Sequence, residues 1–314
     1  MLLEQVQTLL EQDLALEAQV EILRATLAQP FNGQDLCAVV EYLYGISGVG
    51  SDIYPALDIV GTGGDGLGLF NISTASSFVI AGMEIPVLKH GNTSVSSRSG
   101  SIDCLKSLGI YLPETRSLAL GQWHQNGLSF LFAPQFYPVL VKLKAARQAL
   151  AHMGFRSIFN VLGPLLNPLR PTHQLIGVAS VDLIKPMSEA LHLLQRKAFV
   201  FSCAGTDELI PGNEMHIVKV TKHGIENFTF DYQTLGVTPL KLADLLGAEP
   251  EDNAQILLKL LQGELTGPLL EVVLINAAFA GMLYDDLAFT EAYRLAASAV
   301  KSGAALEKLQ GLRT

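Results

Sequence analysis

The stretch Asp58-Ile-Val-Gly-Thr-Gly-Gly-Asp-Gly-Leu-Gly-Leu-Phe-Asn-Ile-Ser-Thr74 constrains this chain more than any other. A short apolar strand, 57–60, runs into a turn carrying Gly61, Gly63, Gly64, Gly66 and Gly68, and a helical run, 75–83, follows. Glycine allows positive φ and close backbone approach. The start of a helix offers unpaired N–H groups and a partial positive charge. Together they form a seat for a phosphate-type anion. Asp65 inside that seat would repel a bare phosphate, so the ligand expected there is a sugar diphosphate that brings a metal ion or hydroxyls.

Around this unit the chain alternates. Strands are expected at 57–60, 86–89, 129–132, 175–179 and 198–203, with helices at 75–83, 103–108, 137–152, 183–194 and 270–283. Alternation of this kind implies an α/β fold with a mainly parallel central sheet flanked by helices. The segments 216–222 and 225–231 flank His223-Gly224 and read as an antiparallel hairpin near one sheet edge. Before residue 50, apolar residues recur at helical spacing (Leu2, Leu3, Val6, Leu9, Leu10, then Leu36, Val39, Val40, Leu43), so the leader is expected to be all-helical. The Gly- and Ser-rich stretch 45–54 is the expected domain break.

Charge narrows the partners. The net charge is −9, and residues 1–50 alone carry seven acids against one base, Arg24. Duplex binding depends on a basic surface, so no nucleic-acid partner is expected. Cys37, Cys104 and Cys203 are odd in number and widely spaced, as for reduced thiols in a cytoplasmic protein. The acidic N-terminus does not read as a signal peptide, and no apolar run reaches membrane-spanning length.

Polar clusters fall just after the expected strands, where open α/β sheets bind ligands. They are the glycine loop, Lys89-His90-Gly91-Asn92, Ala133-Pro134-Gln135 and Ala204-Gly205-Thr206-Asp207-Glu208. The Ser-rich stretch from Ser94 to Asp103, with Arg98 in its middle, suits phosphate oxygens through hydroxyls and amides. Adjacent Asp207 and Glu208 suit Mg²⁺, which takes one or two carboxylates plus substrate phosphates. Each motif alone has a bland reading: a tight turn, ordinary capping by Ser73 or Thr74, a snorkelling Lys89, a structural His90, a solvated acidic pair. Their conjunction on one sheet edge is what composition does not supply.

Taken in order, these motifs resemble the anthranilate phosphoribosyltransferase family. The matching segments are the Gly-Thr-Gly-Gly-Asp loop from Gly61, Asn71-Ile-Ser-Thr74, Lys89-His-Gly-Asn92, the Ser-rich loop, the Asn160 to Pro168 stretch and Asp207-Glu208, and they span nearly the whole chain. The resemblance implies a small helical domain, residues 1–50 with a contribution from about 137–158, and a larger α/β domain, 51–314, of the nucleoside phosphorylase/phosphoribosyltransferase class. It implies a homodimer through the helical domain, and transfer of the 5-phosphoribosyl group from phosphoribosyl pyrophosphate (PRPP) to anthranilate in tryptophan synthesis. By the same resemblance Gly61, Gly63, Gly64, Asp65, Asn71, Ser73, Thr74, Lys89 and Ser101 would hold PRPP. Ser73, Asp207 and Glu208 would place Mg²⁺. Gly61, Asn92, Tyr137, Arg147, Gly163 and Pro164 would line the anthranilate path, with Lys89, His90 and Arg147 as the catalytic set.

The chain departs from the family at Thr93, where arginine is usual, and at Phe136-Tyr-Pro-Val-Leu140, where His-His-Pro-Ala-Met is usual. The span from Arg147 to Arg156 is about one helical turn longer than expected. These differences fall on the acceptor half. A paralogue with another amine or aromatic acceptor, a nucleoside phosphorylase and a non-catalytic nucleic-acid-binding relative therefore stand as alternatives. Either His90 or Tyr137 is expected to take the late proton from the amine.

Overall fold

The computed structural model describes residues 1–63, 66–93, 100–233 and 236–313. Three helices open the chain: α1 (Leu2–Glu11), α2 (Leu16–Ala28) and α3 (Gly33–Ile46). The α3 start is fixed by a reciprocal cap, in which the Asn32 side chain accepts from Gln34 and Asp35 N–H while Asp35 accepts from Asn32 N–H.

The chain then alternates through β1 (Tyr54–Gly61), α4 (Ile72–Gly82), β2 (Val87–Gly91), α5 (Ser101–Ser107), α6 (Arg116–Asn126), β3 (Leu128–Phe132), α7 (Ala133–Phe136), α8 (Lys144–His152), α9 (Ile158–Leu162), β4 (Pro171–Gly177), α10 (Ile184–Leu193) and β5 (Lys197–Cys203). The hairpin of β6 (Met215–Thr221) and β7 (Gly224–Phe228) precedes four closing helices, α11 (Pro250–Leu261), α12 (Pro268–Tyr284), α13 (Phe289–Lys301) and α14 (Ala304–Gly311).

The sheet order is β3-β2-β1-β4-β5-β6-β7. The first five strands are parallel and the last two antiparallel. The winding therefore reverses between β1 and β4, and the crevice for a ligand opens at the carboxyl ends of those two strands. There Gly61 and Gly177 stand opposite each other in register.

Strand alternation divides the core. Leu57, Ile59, Leu175, Phe199 and Phe201 face α4 and α12 on one side. Asp58, Val60, Ile176, Ala198 and Val200 point the other way, and the apolar ones pack with α10 and, beyond it, with α1, α3, α8 and α9. Phe279 of α12 anchors the first side, edge-on to Phe199 and Phe230. Burying such a ring contributes roughly 1.5–3 kcal/mol. The apolar run 270–283 is thus a helix covered by its neighbours. No helix among the described residues is long and apolar enough to cross a membrane.

Two expectations change. The expected helix 137–152 is a 3₁₀ turn over Pro138–Leu143 and becomes α-helical only in α8. Pro138 has no N–H to donate and drives Tyr137 out of the helical region, to φ −127° and ψ 61°. The fourth strand starts four residues earlier than expected, because the polar run Thr172-His173-Gln174 lies within the sheet. Helices α6, α7, α9, α11, α13 and α14 fall where no element was expected.

Candidate active site

The site is built at the β1/β4 crevice by glycines that let other groups close in. A Cβ on Gly61 would overlap the Asp207 carboxylate, and one on Gly177 would overlap the Asp207 backbone. Asp207 reaches this place by a two-residue turn after β5. Ala204 and Gly205 both have positive φ (50° and 76°), and Cys203 and Thr206 exchange backbone hydrogen bonds of 3.2 and 2.8 Å. The chain thereby folds back over the sheet edge, and Asp207 Oδ2 accepts from Gly63 N–H at 2.7 Å. Glu208 N–H donates to Thr206 Oγ1 at 3.2 Å.

Lys89 lies beneath these acids. It is 3% exposed, and its Nζ donates to Ile59 O and, at 3.2 Å, to Ser73 Oγ in the first turn of α4. Burial lowers its pKa, and Asp58, Glu208 and Asp207 only partly offset that effect. The ammonium is therefore a desolvated charge close to carboxylates, and its attraction to an anion is stronger than in water.

A buried polar network ties the next layer. Asp58, in the middle of β1 and fully buried, accepts from His90 N–H at 3.2 Å, from the His90 ring at 2.6 Å and from Asn167 Nδ2 at 3.0 Å. Burial raises the Asp58 pKa, but His90, Lys89 and Asn167 together outweigh it and hold the carboxyl below the usual range. His90 Nε2 meets Gly163 O at 2.8 Å, and since a carbonyl only accepts, that nitrogen donates. Gln174 Nε2 donates to Pro164 O at 3.1 Å, and Asn167 Nδ2 donates to Leu88 O at 2.7 Å. The Gly163-Pro164 turn is thus bound to β1, β2 and β4 at once.

The structure brings Gly61, Gly63, Asn71, Ser73, Lys89, Asp207 and Glu208 together. Gly64, Asp65 and the Ser-rich residues 94–99 lie outside the described residues. Asn71 is the N-cap of α4 but makes no side-chain cap to it; its Oδ1 instead accepts from Asn253 Nδ2 at 3.1 Å. The Thr74 hydroxyl is sealed in the core. Ser101 begins α5 and donates to Asn92 O at 3.2 Å, over the spot where a Gly91 Cβ would stand. The exposed Asn92 side chain accepts from Thr93 N–H at 2.8 Å.

On the acceptor side, Arg147 of α8 lies over the Phe159 ring at 5.6 Å, half-buried, and burial lowers its pKa. No carboxylate among the described residues is paired with it. Tyr137 is 1% exposed within the helical core, and burial holds its hydroxyl well above the usual range. An open depression at the end of β3, lined by Lys106, Phe132, Pro134, Gln135 and Val141, shares no residue with the Lys89–Asp207 group.

Asp58, Asn167, Gln174 and Gly177 were not among the expected site residues. One signal was available: an aspartate inside the apolar strand Ala-Leu-Asp-Ile-Val must have buried partners.

This fold and this site define a class. Residues 53–306 match the family described as glycosyl transferase family, a/b domain. An anthranilate phosphoribosyltransferase of Thermomicrobium roseum is 40% identical over 82% of this chain and 75% of its own length. One from Syntrophomonas wolfei is 35% identical over 96% of this chain and 88% of its own. The chain belongs to the anthranilate phosphoribosyltransferase family. Among solved structures, the enzyme of Thermus thermophilus superposes with a TM-score of 0.88 at 32% identity, covering 100% of this chain and 95% of that one. The enzyme of Saccharomyces cerevisiae in complex with PRPP and Mg superposes with a TM-score of 0.85 at 26% identity, covering 99% and 90%.

Proposed function

We propose that this chain transfers the 5-phosphoribosyl group from PRPP to the amine of anthranilate, releasing pyrophosphate, in tryptophan biosynthesis. One observation carries the reading: a buried lysine, a helix start without a side-chain cap and two adjacent acids converge on the β1/β4 crevice. The family to which the chain belongs supports the same reaction.

As the C1–O bond breaks, positive charge grows on the ribose and negative charge on the leaving pyrophosphate. Lys89 Nζ and the N–H groups at the start of α4 stabilise the leaving group, and being held in place beforehand they need no reorganisation as charge develops. Gly61 and Gly63 bring backbone close to the donor, and Asn71, Ser73 and Ser101 offer polar groups to it. Thr74 contributes through its place in the helix start, because its hydroxyl is enclosed.

Asp207, Glu208 and the Ser73 hydroxyl are hard oxygen donors that fit Mg²⁺. Among the described residues no cluster of three His, Cys, Asp or Glu exists, so an ion there would complete its shell with substrate oxygens and water. When bound, Mg²⁺ neutralises charge on the diphosphate.

On the acceptor side Arg147 offers a planar fork to a carboxylate, and its stacking on Phe159 fits a flat ring nearby. The Gly163-Pro164 turn and Asn92 border the same path. His90 is read here as the tie that places this turn rather than as the proton acceptor, since both ring nitrogens are engaged. The enclosed Tyr137 hydroxyl is equally unsuited to that task. An arylamine is neutral at pH 7, so attack needs no strong base.

The helical layer α1–α3, where Met1, Leu16 and Ile46 stay exposed, is taken as a homodimer face in a cytoplasmic protein. The reaction is tested by incubating the purified protein with Mg²⁺, PRPP and anthranilate. Loss of anthranilate fluorescence is expected, and its absence at high enzyme concentration rejects this acceptor.

A further inference from the structure

The donor loop is held from outside its own element. Phe70 N–H donates to Leu245 O at 2.9 Å, and Gly247 N–H donates to Gly68 O at 2.8 Å. Leu69 and Leu246 face each other as an antiparallel bridge between these bonds. A Cβ on Gly247 would stand 2.8 Å from Leu69 O, so glycine permits the approach. Asn253, in the first turn of α11 and 1% exposed, closes the strap.

The orientation of the Asn253 amide follows from its partners. One end receives Ala248 N–H at 2.8 Å, and a backbone N–H only donates, so that end is Oδ1. The other end, Nδ2, donates to Ala248 O at 3.1 Å and to the Asn71 side chain at 3.1 Å. The Asn71 atom in that contact must be its oxygen, which puts the Asn71 N–H₂ at the opposite end of its amide.

We propose that Asn253 is a positioning residue for donor binding: by taking Asn71 Oδ1 it fixes that amide so that Asn71 presents N–H donors, not a carbonyl oxygen, at the anion seat. This rests on the reading of the α4 start as the PRPP seat. A diphosphate oxygen only accepts, so an amide oxygen turned toward it repels. The strap reaches across 182 residues of sequence to set one amide.

Two substitutions separate positioning from plain structure. Asn253→Asp keeps an acceptor for Ala248 N–H, but it accepts from Asn71 Nδ2 and turns that amide over. Asn253→Ala removes the bonds that the Asn253 side chain makes, including its hold on Asn71 Oδ1. Thermal midpoints, kcat, the KM for PRPP, and calorimetric affinity for PRPP with Mg²⁺ are measured for both and for the wild type. Both variants are expected to lose thermal midpoint, since aspartate cannot donate to Ala248 O and alanine keeps none of the bonds, and the aspartate variant to show the larger rise in KM, about tenfold, with a smaller change in kcat.

In an Asn71→Ala background the two Asn253 variants are expected to bind PRPP alike, since no amide remains to turn. A difference that survives in that background reports only the added charge and overturns the proposal. Affinity that simply follows the thermal midpoint, or is equal in all three proteins, also overturns it. No uptake of PRPP by the wild type overturns the donor reading and this proposal with it.

Discussion

The donor and acceptor halves of the site are held in different ways. On the donor side the groups sit at strand ends and are fixed by the sheet: Lys89 by Ile59 O and Ser73, Asp207 by Gly63 N–H, His90 by Asp58 and Gly163 O. On the acceptor side Arg147 sits on a nine-residue helix that follows a broken turn, and its identified contact is a ring. Strand ends are located by the hydrogen-bond ladder of the whole sheet. A short helix is located by packing alone, and it can shift or lengthen by a turn without disturbing the sheet. Of the departures expected from the resemblance, Phe136 to Leu140 and the longer 147–156 span lie on the packing-held side, while Thr93 lies two residues past the end of β2. The proposed donor groups are thus fixed by backbone geometry, and on the proposed acceptor path the Gly163-Pro164 turn is tied to the sheet while the Arg147 helix is the adjustable part.

Four variants probe that contrast. The largest effect is expected at Asp58. Asp58→Ala leaves His90 buried without its carboxylate partner and removes one of the three carboxylates near Lys89, and breaking such a pairing costs about 4 kcal/mol. Denaturant midpoints measure it. Because the folded Asp58 pKa is depressed, its stabilisation is fully present above the ordinary aspartate range and is lost as pH falls through the folded value. Wild-type stability should therefore fall on acidification, with a flatter curve for the variant.

Next, Asp207→Asn with Glu208→Gln should reduce kcat about 100-fold and shift the Mg²⁺ requirement upward, with circular dichroism unchanged. Full activity would remove the metal role. Gly61→Ala should cost roughly 10- to 100-fold in kcat/KM by displacing the Asp207 carboxylate, while barely moving the thermal midpoint. The smallest effect belongs to the acceptor half. Arg147→Lys keeps the charge but loses the fork, and the KM for anthranilate should rise about tenfold with the KM for PRPP unchanged. An equal change in both KM values would show that the two halves are not held independently.

The sequence was legible where function depends on local chemistry. The glycine run after 57–60, Lys89-His90 in the last residues of the second strand and the adjacent acids Asp207 and Glu208 are all readable because turn, strand end and ligand group lie within a few residues. It was misleading where local pattern and tertiary context disagree. The polar run Thr172-His173-Gln174 looks like loop, yet Gln174 is buried because it has Pro164 O as a partner. The apolar run 137–152 looks like one helix, yet from Pro138 to Leu143 it is a 3₁₀ turn and only α8 is α-helical.

By itself, then, the sequence determined the alternating α/β plan and the residue types of the proposed anion seat, since these follow from periodicity, glycine backbone freedom and the charge of neighbouring side chains. Only the tertiary structure decided that Gly61 and Gly177 meet at the winding switch, that Asp58 binds His90, and that Asn253 reaches Asn71. Those pairings join residues far apart in the chain. Their geometry comes from sheet order and helix packing, which no local stretch of sequence encodes.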